Sequence, residues 1–293
     1  MGSEPLVIRN SWTAVRDHAR TYHDFTYVYP VISRRSRGLS IGINLNPDKA
    51  CNFDCVYCEV DRKIPGKARL VDLAQVRDEL LWLIQHAQSG GLAREPKFAD
   101  TPEALTRQVR DIAFSGDGEP TMIHNFDTCV DQVVEVLKQC GLTETKIVLI
   151  TDSAGLDKAT VRRGLQRMDA NRGEIWAKLD AGSEAYFRTV NRSTIRFDRI
   201  LANLKETARI RPIIIQSLFL KVRGEVMSAT ELQEYCTRLM EITTAGGQIS
   251  EVHAYTIARP VPEPWATRLE PSELTILADE IRRLTGLRVV EFP

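Results

Sequence analysis

Leu39-Ser40-Ile41-Gly42-Ile43-Asn44-Leu45-Asn46, followed four residues later by Cys51-Asn52-Phe53-Asp54-Cys55-Val56-Tyr57-Cys58, is the stretch on which the fold turns. Its first half alternates strictly. Leu39, Ile41, Ile43 and Leu45 share one face, and Ser40, Gly42, Asn44 and Asn46 share the other, the period of a strand with unlike surroundings on its two sides. Its second half sets three thiols on an eight-residue loop with CxxxCxxC spacing. The loop therefore leaves the C-terminal end of a strand, where α/β folds place their active sites.

Outward from this stretch, short apolar runs alternate with longer helical patterns, as in an α/β protein with a parallel sheet. Strands are expected over 112–115, 146–151, 174–180, 213–221 and 249–257, with a terminal strand over 289–292. Helices are expected over 72–88, 125–139 with Asn125 as cap, 156–168, 183–190, 196–209, 229–244 and 272–285. Six strand–helix units fall short of the eight of a closed barrel. Trp176, Lys178 and Asp180 share one strand face, and Glu251, His253 and Tyr255 share another. Faces this polar suit an open barrel around a ligand, or strands turned to solvent. The chain divides into an N-terminal extension (1–38), a core barrel (39–258) and a C-terminal tail with a helix (259–293).

The chain carries 39 Lys+Arg and 39 Asp+Glu in 293 residues, with 43% hydrophobic residues. That profile excludes a mainly disordered chain and argues against wholesale electrostatic binding of nucleic acid. No run approaches the roughly 20 apolar residues of a membrane span, and the N-terminus lacks a secretory pattern; a cytoplasmic protein is expected. Residues 1–38 hold six arginines against three carboxylates, with Tyr22, Phe25, Tyr27 and Tyr29 interleaved. This segment suits packing on the barrel better than contact with RNA. Cys129, Cys140 and Cys236 lie outside any compact motif and read as small buried apolar residues.

Three thiolates suit zinc or iron–sulfur chemistry. A structural zinc wants four protein ligands, and no fourth Cys or His lies nearby in sequence. Three thiolates on a four-iron cluster leave one iron open, which is what catalysis needs. A thiol–disulfide pair is the competing reading of a CxxC.

CxxxCxxC after the first strand, with Tyr57 before the third Cys, resembles the radical S-adenosylmethionine (radical SAM) superfamily. Pro30-Val31-Ile32-Ser33-Arg34-Arg35, Ser115-Gly116-Asp117-Gly118-Glu119-Pro120-Thr121, Lys178-Leu179-Asp180-Ala181 and Val190-Asn191-Arg192 resemble the subgroup related to wyosine-forming tRNA enzymes. The resemblance spans roughly residues 27–258. It implies a partial (β/α)6 radical SAM barrel and a 4Fe-4S cluster on Cys51, Cys55 and Cys58. The open iron binds SAM, whose reductive cleavage gives a 5′-deoxyadenosyl radical that abstracts hydrogen from a substrate. It also implies an external flavodoxin- or ferredoxin-like electron donor.

By the same resemblance Tyr57 belongs to the cofactor loop, Gly116, Asp117, Gly118 and Glu119 face the methionyl amino group, and Arg192, beside Asn191, meets the SAM carboxylate. Asp117 departs from the glycine of the family's GGE motif. Thr151, Asp152 and Ser153 either bond ribose hydroxyls or form a capping turn. Lys178 and Asp180 either pair with each other or reach SAM or substrate. His253 and Tyr255 are substrate-side candidates or structural residues. The substrate is not legible. A tRNA-modifying enzyme of the wyosine type is one alternative, and a non-catalytic iron–sulfur carrier or sensor is another.

Overall fold

The computed structural model describes residues 8–17, 19–66, 70–259 and 261–293. Its strands are β1 (Val28–Ser33), β2 (Gly38–Ile43), β3 (Val109–Phe114), β4 (Lys146–Thr151), β5 (Gly173–Lys178), β6 (Ile213–Leu218), β7 (Lys221–Val222), β8 (Ile249–Tyr255), β9 (Ala266–Thr267) and β10 (Val289–Phe292). Its helices are α1 (Thr13–Arg16), α2 (Leu73–Gln88), α3 (Glu103–Arg107), α4 (Phe126–Gln139), α5 (Ala159–Asp169), α6 (Glu184–Val190), α7 (Phe197–Ile210), α8 (Ala229–Thr244) and α9 (Pro271–Thr285).

Eight strands form one sheet in the order β1-β2-β3-β4-β5-β6-β8-β10. From β2 to β10 every pairing is parallel; β1 pairs antiparallel to β2. Two strands thus go beyond the six expected units. β10 is the terminal strand expected over 289–292. β1 lies within the stretch read as an extension; it carries Pro30 and no alternation, and Pro is tolerated because β1 is the sheet's edge.

The alternation of β2 has a direct structural meaning. Leu39, Ile41 and Ile43 are fully buried toward the helices with Leu80 and Leu83 of α2. Ser40 and Gly42 face a cavity of about 300 Å³. Val31, Ala113, Ile150, Trp176, Gln216 and Tyr255, from six further strands, line that same cavity. One cavity reached by seven strands means the sheet curls into an open half-barrel. Inside it, Ala113, Val148, Trp176 and Ile214 form a separate apolar cluster, each large side chain contributing about 1.5–3 kcal/mol by burial.

Local chemistry sets the helix starts. Asp72, Ser183 and Ser228 accept from Gln75, Tyr186 and Glu231 backbone N–H groups and cap α2, α6 and α8. Asn125 precedes α4 as expected, but its side chain makes no cap bond and its Oδ1 has no partner. Its backbone, at φ −116° and ψ 37°, is outside the extended conformation a capping side chain needs. The run 213–221 also divides. β6 stops at Leu218, and Lys221–Val222 instead pair antiparallel with Ala266–Thr267. Glu79, buried on α2, accepts backbone N–H groups of Thr26, Tyr27 and Val28 at 2.8, 2.8 and 3.0 Å, which anchors the chain entering β1.

Among the described residues no helix is long and apolar enough to cross a membrane.

Candidate active site

Beyond β2 the chain forms the cysteine loop, pinned to the end of α6. Asp54 and Val56 N–H groups donate to the Asn191 and Val190 carbonyls at 3.0 and 2.9 Å, and Ser193 Oγ donates to the Asn52 carbonyl at 2.9 Å. On its other side the loop meets the Gly116–Glu119 turn after β3. There Glu119 N–H donates to the Ala50 carbonyl at 2.9 Å. A Cβ on Gly118 would stand 1.9 Å from that same Ala50 oxygen, and one on Gly116 would stand 2.3 Å from Asn44 Oδ1. Only glycine permits this approach.

Cys51, Cys55 and Cys58 are free thiols and all line the cavity. Each sulfur has one N–H donor at 3.5 Å: Phe53 N on Cys51, Asn191 Nδ2 on Cys55 and Arg62 Nη2 on Cys58. Burial pushes the Cys55 thiol up to about 11, partly offset by Lys178, and pushes Cys51 up further with help from Asp152. Both are therefore protonated thiols near neutral pH until a metal displaces the proton. Among the described residues no three His, Cys, Asp or Glu side chains converge as they would on a single ion. A multi-iron cluster makes a different demand, since each thiolate binds its own iron. Three thiols around one cavity, each with an N–H donor, fit that donor set.

Lys178 lines the cavity and also pairs with Asp180. Its Nζ donates to Tyr57 Oη at 2.9 Å and Tyr255 Oη at 3.0 Å, and lies 3.5 Å from Asp180 Oδ2. Burial works against the ammonium, yet Asp180 and Tyr255 hold its pKa above the ordinary lysine value. Asp180 does not line the cavity. It is buried behind Tyr57, accepting from Tyr57 Oη, from Asn191 Nδ2 at 2.7 Å and from Leu218 N at 2.9 Å. Asn191 stands behind the wall with it.

Glu119 is buried and already accepts four bonds, from Thr121 N, Thr121 Oγ1, Thr151 Oγ1 and Asp152 N at 2.5–3.0 Å. Asp152, beside it in the cavity wall, uses Oδ1 on Ala154 N at 2.8 Å, while its buried Oδ2 has no partner. Burial raises both carboxyls, and Glu119 raises Asp152 further. The free acceptor in this corner is therefore Asp152.

The remaining expected residues are placed elsewhere. Asp117 turns away from the cavity to Arg20 at 3.1 Å and Asn44 Nδ2 at 2.7 Å, so the residue that departs from the family motif braces the turn. Ser153 is fully buried at φ 71°, donating its N–H to Thr151 Oγ1 at 3.0 Å; only Thr151 and Asp152 of that trio reach the cavity. Arg192 does not. It pairs with Glu263 at 2.6 Å and with Asp54 at 3.6 Å, and lies over the Trp265 ring. His253 lies against Trp176 and Phe292 with Nε2 on Glu251, away from the cysteine cavity, whereas Tyr255 lines it. Arg20, Arg35, Arg62 and Gln216 line the cavity unforeseen, and Trp176 lines it from a face read as polar in the sequence.

The curled sheet with its cysteine loop has the fold of the radical SAM enzymes. A radical SAM methyltransferase from Sphaerobacter thermophilus matches with a TM-score of 0.63 and 13% identity, over 90% of this chain and 68% of that one. TYW1 with a lysine-pyruvate adduct bound matches at 0.55 and 14%, over 89% of this chain and 78% of that one. In sequence the chain is similar to UPF0026 proteins: one from Methanocaldococcus jannaschii is 29% identical over 177 residues, 60% of this chain and 47% of that protein. A GTPase Obg from Brachyspira hyodysenteriae is 25% identical over 209 residues, 71% of this chain and 26% of that protein. The chain spans 26% to 66% of the length of these and the related curated proteins it matches. No family model matches it.

Proposed function

We propose that the chain is a radical SAM enzyme in which Cys51, Cys55 and Cys58 hold a 4Fe-4S cluster and SAM lies across the strand ends. The observation that carries this reading is the three thiols lining one cavity at the C-terminal ends of parallel strands, each with an N–H donor. Cys51, Cys55 and Cys58 would hold the cluster, which when bound and reduced by an external donor would supply the electron for reductive cleavage of SAM to a hydrogen-abstracting 5′-deoxyadenosyl radical. This chain's own residues do the rest. N–H groups on the sulfurs stabilise their anionic form. The Gly116–Glu119 turn brings backbone close to the ligand. The unpartnered Asp152 oxygen offers an acceptor to the SAM ammonium, and a cation there relieves the crowding of two buried carboxyls. Lys178, held by Tyr57, Tyr255 and Asp180, keeps a fixed positive charge in the wall.

Anaerobic reconstitution with iron and sulfide tests this. A brown protein whose spectrum changes with SAM and which yields 5′-deoxyadenosine on reduction is expected. A colourless protein holding zinc overturns the reading, and a cluster indifferent to SAM points instead to an electron carrier or sensor.

A further inference from the structure

Arg35 is a half-buried cation that nothing in the proposed chemistry uses. Its guanidinium lies over the rings of Trp176 at 5.1 Å and Tyr255 at 5.2 Å, and its Nη1 is shut from solvent with no hydrogen-bond partner among the described residues. A guanidinium nitrogen shut from solvent with an unspent donor is costly unless an anion completes it. Asp111, the nearby carboxylate, accepts instead from Ser40 Oγ at 2.5 Å.

Arg35 stands in the wall between the cysteine cavity and a neighbouring cavity of about 680 Å³. Tyr57, Tyr255 and Arg259 also line both. The lining of the second cavity includes five arginines and two carboxylates. Glu59 is taken by Arg259 at 2.8 Å, and Asp17 faces Lys97 at 3.8 Å. Arg34 donates from Nη1 to the Pro293 main-chain oxygen at 2.6 Å, and burial together with the nearness of Arg259 and Arg268 holds its guanidinium below its ordinary pKa. The two aromatic rings flank the Arg35 guanidinium, in a residue that lines both cavities.

We propose that the larger cavity is the substrate chamber and that the substrate bears phosphate, with Arg268 receiving the phosphate and Arg35 orienting the group that enters the cysteine cavity. This rests on the radical SAM reading for the word substrate, but the anion site itself does not. Phosphate can arrive on a small phosphorylated metabolite or in a nucleic-acid backbone.

The test titrates the full chain, without cluster or SAM, with inorganic pyrophosphate and separately with a short single-stranded RNA. Wild-type protein is expected to bind one of these probes, and Arg35→Gln and Arg268→Gln each to weaken that binding at least tenfold, with Arg209→Gln on the outer helix α7 unchanged. Tight binding of pyrophosphate assigns a small phosphorylated substrate; tight, steeply salt-dependent binding of RNA alone assigns a nucleic acid. Equal binding of both probes by wild type and the Arg268→Gln variant overturns the proposal, and does so even if Arg35→Gln fails to fold. Loss of SAM affinity in reconstituted Arg35→Gln, with pyrophosphate binding intact, overturns it as well by placing Arg35 in the SAM site. Failure of the radical SAM reading shows separately, as absence of a cluster in a protein that still binds the anion.

Discussion

The side-chain amide of Asn191 donates to the Asp180 carboxylate at 2.7 Å, joining the end of α6 to the end of β5 directly behind the cysteine loop. The same Nδ2 lies 3.3 Å from Tyr57 Oη and 3.5 Å from Cys55 Sγ. One buried amide therefore holds the loop, the aromatic wall and the buried ion pair in register.

Asn191→Ala removes a donor from a buried carboxylate and a buried sulfur at once. A stability loss of about 1–3 kcal/mol is expected, read as a lower urea midpoint at unchanged slope. Iron retained after reconstitution should fall with it. Retention of both stability and iron would show the amide to be incidental.

Gly118→Ala sets a Cβ where the Ala50 carbonyl oxygen stands, 1.9 Å away. The obstacle is backbone and cannot swing aside, so the turn and the cysteine loop must part. The cost is about 1–3 kcal/mol, with weakened SAM binding in the reconstituted protein. Calorimetric titration with SAM checks it, and wild-type affinity would contradict the close approach.

Asp152 gives a pH dependence with a definite sign. Burial, and then Glu119, raise its carboxyl well above the ordinary range. The folded chain thus keeps this proton to higher pH than the unfolded chain. The stability that follows is full below the unfolded value of about 3.9 and is lost as pH rises through the folded value. Asp152→Asn abolishes that loss. The ligand-free variant should exceed wild type by about 1–3 kcal/mol at pH 8, with the difference shrinking toward pH 4. Denaturant titrations across that range decide it; a difference independent of pH would refute the assignment.

Replacing Cys51, Cys55 or Cys58 singly by Ser should abolish iron uptake and 5′-deoxyadenosine formation. Cys129→Ala should spare both, because Cys129 is fully buried in α4 away from the cavity. Its loss of packing costs about 1 kcal/mol. Iron content per chain separates the two groups, and iron lost equally from all four variants would remove the distinction.

Where a local pattern carries the information, the sequence is a good guide. The alternation of 39–46 names both faces of β2 correctly, and the inner faces expected to be polar include Trp176, Lys178 and Tyr255, which line the cavity. β1 was not legible, because a strand covered on both faces shows no alternation, and its pairing with β2 depends on Glu79 some fifty residues away. Glu119 and Asp152 were both visible. Which of them keeps an unspent oxygen depends on donors from Thr121 and Thr151 that only meet in the fold.

The amino-acid sequence alone determined the α/β order of elements, the placement of three thiols at a strand end and the polarity of the strand faces, since each is a matter of spacing along a few residues. Only the tertiary structure decided that Asp180 and Asn191 stand behind the wall, that Arg192 turns outward to Glu263, and that Arg35 is left as an unspent cation between two rings. Burial and pairing are properties of groups brought together from distant parts of the chain, and no local period encodes them.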